Sequence, residues 1–135
     1  MAGPLQEKSK RFAVRIVRLA QHLADDKKEF VLSRQVLRSG TSIGANISEA
    51  RGAQSQSDFI AKLSIAIKEA FETDYWIDLL EETGYIQMAP AQSLKTDLNE
   101  LISILTKSLK TNKAKRATPQ PQLPTLNTQL PTLNS

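Results

Sequence analysis

No proline interrupts residues 5–89, and inside that span one segment repeats its apolar positions in alternating steps of four and three. Phe59, Leu63, Ala66, Ala70, Thr73, Ile77 and Leu80 carry the repeat. Such spacing puts all seven side chains on one face of a helix and is incompatible with a strand, whose faces alternate every residue. Ser55, with Asp58 three residues on, supplies a capping-box-like start. Gly84 stands where a helix-terminating glycine belongs. A repeat averaging about 3.5 residues packs helices nearly antiparallel with a left-handed twist.

The rest of the chain supplies partners for that helix. Phe12, Ile16, Leu19 and Leu23 predict a first helix over about Ser9–Ala24, closed by the polar run DDKKE. Val36, Ile43, Ile47 and Ala50 form the stripe of a second. Pro90 suits the first turn of a fourth, which buries Leu94, Leu98, Leu101, Leu105 and Leu109. Short connections favour up-down-up-down order. The expected fold is therefore all-α, an up-down four-helix bundle over residues 1–112. Residues 113–135 turn rich in Pro, Thr, Asn and Gln, hold no acidic residue and repeat QLPTLN, which predicts a disordered tail.

Two features point to self-association. The third helix, taken as about 29 residues or ~43 Å, outruns the first, taken as about 16 residues or ~24 Å. It also carries apolar residues off its main stripe, namely Ile60, Ile67 and Phe71 on one flank and Ile65, Trp76 and Leu79 on another. A helix apolar on several sides calls for more cover than a lone bundle provides.

Charge is distributed unevenly. The net charge of +4 divides into a basic start, an acidic middle and a basic end. Lys plus Arg outnumber Asp plus Glu ten to five over residues 1–51, fall three to nine behind over 52–104, and lead five to none over 105–135. Lys8, Arg11, Arg15 and Arg18 make a stripe at steps of three, four and three beside the apolar face of the first helix. Lys107 and Lys110 extend the basic character at the end of the fourth. These residues are the candidates for phosphate contact with RNA or DNA. An ordinary solvated face, with ion pairs to the acidic third helix of a neighbouring copy, accounts for the same stripe.

Residues 38–52, RSGTSIGANISEARG, place Gly40, Gly44, Ser48 and Gly52 at four-residue spacing. Each glycine inside a helix costs about 1 kcal/mol against alanine, a cost that close approach of another helix offsets. A loop breaking the helix is the competing explanation. Ile43 and Ile47 keep the helical period and favour the packed face.

Catalysis finds little support. One histidine, His22, and no cysteine leave serine or cysteine triads without parts. The Glu-x-x-His pairs of metal-binding bundles are absent. Glu69, Glu72, Asp74, Asp78, Glu81 and Glu82 crowd the third helix, where a solvated or intersubunit acidic face is the simpler reading. No phosphate-binding glycine loop occurs. Neither an apolar leader nor a run long enough to span a bilayer is visible, so the expectation is a cytoplasmic, non-enzymatic protein without cofactor, metal or membrane partner.

RSGTSIGANISEA at 38–50 and SDFIAKLSIAIKEAFETDYWIDLL at 57–80 resemble the four-helix-bundle proteins encoded in intervening sequences of bacterial 23S ribosomal RNA genes, the S23 or intervening-sequence proteins. The likeness spans roughly residues 9–110. Arg38, Ser42, Asn46 and Glu49 carry it in the second helix; Phe59, Lys62, Leu63, Ala66, Glu69, Ala70, Glu72, Thr73, Tyr75 and Trp76 carry it in the third. The resemblance implies a ring-like homopentamer. It is also similar to the accessory variability protein of diversity-generating retroelements, which implies nucleic acid and a reverse transcriptase as partners. On that basis Arg38, Gly40, Gly44, Asn46, Ser48, Glu49, Tyr75 and Trp76 are the expected subunit interface.

Overall fold

The computed structural model describes residues 3–117, which form four helices in sequence order. They are α1 (Pro4–Asp25), α2 (Val31–Ala50), α3 (Gln56–Glu82) and α4 (Met88–Ala117). Each helix packs on its neighbours in sequence, and α1 closes the bundle against α4; α1 and α3, like α2 and α4, stand diagonally across the core. This is the expected all-α up-down four-helix bundle.

The core follows the predicted stripes. Phe12, Ile16 and Leu23 meet Val36, Ile43 and Ile47, then Leu63, Ala66, Ala70, Ile77 and Leu80, then Leu94, Leu98, Leu101 and Leu105. Thr73, the one polar member of its stripe, is fully buried. Its hydroxyl lies 2.7 Å from the Glu69 carbonyl and 2.9 Å from the hydroxyl of buried Ser39, so its burial leaves no polar group unsatisfied.

Helix ends obey local chemistry. The Ser55 hydroxyl accepts from the Asp58 backbone N–H at 3.0 Å, and the Asp58 carboxylate accepts from Gln54 N–H at 3.2 Å. Gly84 takes φ +84°, the left-handed conformation that ends a helix. At the start of α2 the Glu29 carboxylate accepts from Ser33 N–H at 2.9 Å.

Three expectations need correction. Helix α1 starts at Pro4, five residues before Ser9, because proline suits a first turn, Leu5 packs on the core and Gln6 Oε1 accepts from Gly3 N–H. Its 22 residues against 27 in α3 remove most of the length mismatch. Ile60 is buried, while Ile67 and Trp76 pack against the core, so the bundle itself covers much of the apolar flank of α3. Finally, α4 runs through Lys113–Ala117, past the boundary expected at residue 112. The rest of the expected tail, residues 118–135, lies outside the described residues.

Candidate nucleic-acid interface

The predicted basic stripe divides into two kinds of residue. Lys8 Nζ donates to Glu100 Oε2 at 3.0 Å. Arg15 donates to Asp97 Oδ2 at 2.6 Å and to Ser93 Oγ at 3.0 Å. These two cations tie α1 to α4 of their own chain, not to a neighbour's acidic helix. Partly exposed pairs of this kind contribute about 0–1 kcal/mol each. Arg11 and Arg18 are exposed and have no ion-pair partner among the described residues, and the same holds for Lys107 and Lys110 on α4. Since Lys8 sits opposite Glu100 in an antiparallel pair, Lys107 and Lys110 lie toward the end where α1 begins.

The expected acidic face of α3 is largely neutralised inside the chain. Arg38 donates to Glu69 Oε1 at 3.2 Å and also to Glu72. Lys95 of α4 bridges Asp74, at 3.2 Å, and Asp78. Trp76 Nε1 donates to Glu72 Oε2 at 3.0 Å. That indole bond, followed by the one from Arg38, holds the Glu72 carboxyl below its ordinary pKa. Hydrogen bonding to Glu72 raises Arg38 above its own. For Lys95 burial pulls downward, but hydrogen bonds to Asp78 and Asp74 outweigh it and the net shift is upward. Glu81 and Glu82 have no ion-pair partner among the described residues, so an uncompensated acidic end remains on α3.

Of the residues expected at a subunit interface, Arg38, Tyr75 and Trp76 gather around Glu72 on the α2–α3 side, whereas the two glycines turn toward α1. Gly40 is buried under Ile16 of α1, and Gly44 faces Ser9 of α1. The close approach predicted from the small-residue face therefore occurs, but inside the chain. Asn46 donates to the Ser42 carbonyl at 2.8 Å, and Glu49 pairs with Lys62 at 3.0 Å. Gly52 lies beyond the end of α2. Ser48 and Tyr75 are exposed. Tyr75 stands edge-on to Trp76, with ring centroids 5.2 Å apart. Sequence reasoning missed Lys10, exposed beside Val14 and Val17, because it falls off the three-four stripe.

Two comparisons bear on this arrangement. Residues 5–107 match the family model of the 23S rRNA-intervening sequence proteins. The chain belongs to that family. A solved structure from Bacteroides thetaiotaomicron, described as a protein with unknown function from the S23 ribosomal protein family, is similar at 53% identity with a TM-score of 0.78. The similarity covers 78% of this chain and 98% of the other. Among curated proteins, none matches.

The intervening-sequence match takes in the whole α1 stripe and ends at Lys107, so Lys110 and the last turns of α4 lie beyond it. Among the described residues no group of three or more His, Cys, Asp or Glu side chains could hold a metal ion. No described helix is long and apolar enough to cross a membrane.

Proposed function

We propose that this intervening-sequence protein is a non-enzymatic, homo-oligomeric helical scaffold that binds structured RNA or DNA through phosphates. The observation that carries the reading is the concentration of exposed, unpaired cations on two adjacent helices. Lys10, Arg11 and Arg18 run along α1, and Lys107, Lys110, Lys113, Lys115 and Arg116 carry the basic character on along α4 past the end where α1 begins, while Glu100 and Asp97 on the seam between these helices are already occupied by Lys8 and Arg15. A cationic surface of this kind binds polyanions by counterion release, with little preference for base sequence. The pentameric, cytoplasmic form of the scaffold rests on the family resemblance and on the apolar residues that α3 leaves uncovered, Ile65, Phe71 and Tyr75.

Exposed aromatic rings also favour a second reading, a protein–protein adaptor such as an accessory subunit of a retroelement reverse transcriptase. Charge reversal separates the two. The variant R11E/R18E, checked for an unchanged oligomer, should lose RNA retention, and wild-type affinity should fall about 10³–10⁵-fold between 50 and 200 mM salt if six to ten phosphates are contacted. A flat salt response, or full retention by R11E/R18E, would overturn the nucleic-acid reading in favour of the adaptor.

A further inference from the structure

One cleft on the bundle combines cations with an apolar floor. It lies where the C-terminal half of α1 meets the α3–α4 turn and the start of α4, and has a volume of about 530 Å³. Ligand pockets for small molecules commonly span about 300–1,000 Å³. Arg15, Arg18, His22 and Lys27 stand along it. Leu19, Tyr85, Pro90 and Leu94 supply apolar surface between them. The cleft shares Arg18 with the phosphate-tracking seam, but its apolar floor is not accounted for by that seam, which needs no cavity.

The cations differ in availability. Arg15 is committed to Asp97 and Ser93. His22 shares a 2.8 Å contact with Asp26 through Nδ1, which leaves Nε2 without a described partner. Arg18 and Lys27 are exposed and have no ion pair among the described residues. Two unpaired cations beside an apolar wall suit a ligand with one flat, poorly hydrated part and one strongly anionic part. An aliphatic anion would waste the wall, and an uncharged aromatic would leave the cations idle.

We infer that this cleft binds a single nucleotide unit, its base against the Leu19–Tyr85–Pro90–Leu94 floor and its phosphate between Arg18 and Lys27. Such a unit is either a free nucleotide or the phosphorylated end of a nucleic-acid strand. The inference deepens the nucleic-acid reading and rests on it.

Titration calorimetry of the full chain tests it, with adenosine 5′-monophosphate, adenosine, and a 5′-phosphorylated trinucleotide as probes. Adenosine 5′-monophosphate should bind, and adenosine should bind about tenfold more weakly or not at all, a difference of about 1.4 kcal/mol. The double variant R18E/K27E should lose the nucleotide, whereas K68E, at an exposed position on α3, should keep it. Tighter binding of the trinucleotide than of the mononucleotide assigns the cleft to strand ends; equal binding assigns it to free nucleotide. No heat with either phosphorylated probe, or wild-type affinity in R18E/K27E, overturns the inference. Retention of a 5′-hydroxyl RNA hairpin, measured in parallel, separates the two claims. Hairpin bound without nucleotide defeats the cleft alone, and nucleotide bound without hairpin defeats the seam alone.

Discussion

Gly40 and Gly44 look alike in the sequence and differ in what surrounds them. A Cβ on Gly40 would stand 2.7 Å and 2.8 Å from the two γ-carbons of Ile16 and 3.2 Å from its Cβ. Ile16 is fully buried and β-branched, so it has no free rotamer to retreat into. Gly40→Ala should therefore lower unfolding stability by up to about 2 kcal/mol, an overpacking cost of about 1–3 kcal/mol set against a helix-propensity gain of about 1. On Gly44 the nearest atom is Ser9 Oγ at 3.4 Å, an ordinary contact. Gly44→Ala should be neutral or stabilising by up to about 1 kcal/mol. Urea unfolding of both variants decides the point, and equal effects would contradict it. The four-residue spacing announced a packed face; which helix packs on it was not legible, because nothing in α2 distinguishes its own α1 from a neighbour's.

Glu72 sets a second residue-scale expectation. Its carboxyl is held low by the Trp76 indole first and by Arg38 next. A group with a depressed folded pKa adds stability above its unfolded pKa, about 4.3, and loses it as pH falls through the folded value. Trp76→Phe removes the indole donor. The variant should thus show a deficit at pH 7 that shrinks toward pH 3, the residue being lost packing. The pH-dependent part should stay below about 1 kcal/mol, since Glu72 is partly exposed. A deficit that is constant with pH would remove the indole from the account.

Among elements, the ends of α3, the close of α1 and the Pro90 turn that opens α4 were readable, and the start of α1 and the end of α4 were not. Ser55, Asp58 and Gly84 act within one turn of chain, so their chemistry shows in the local sequence. The start of α1 depends on Leu5 reaching the core, a tertiary event, and helix α4 continues through a lysine-rich segment that has no apolar stripe to mark it. Cross-helix pairs such as Arg15–Asp97 and Lys95–Asp78 join residues far apart in sequence and were equally invisible. Gly84 offers the cleanest test. No atom crowds its missing Cβ, so the cost of Gly84→Ala is that of the left-handed backbone alone, about 1–2 kcal/mol. Thermal unfolding should show that loss without a change in helical content, and an undisturbed midpoint would contradict the cap.

At the scale of the molecule, the proposed assembly needs to be told from a simple dimer. Phe71 and Tyr75, each 59% exposed, lie on α3, while exposed Val14 and Val17, with Lys10 beside them, lie on α1. These helices stand diagonally across the bundle from one another. Two different patches on diagonally placed helices suit a heterologous interface, in which α1 of one copy meets α3 of the next and the chain of contacts closes as a ring. An isologous dimer would use one patch twice. Phe71→Asp spoils the α3 patch and Val17→Asp the α1 patch, so under the ring each variant alone should sediment as a monomer. Mixed together, the intact α1 of the first can still meet the intact α3 of the second, and the mixture should stop at a dimer of one variant with the other. If α3 pairs with α3 instead, Val17→Asp should assemble like the unsubstituted chain and mixing should add nothing. The mixture is the decisive sample, because only a two-patch interface lets two failed variants rescue one contact between them.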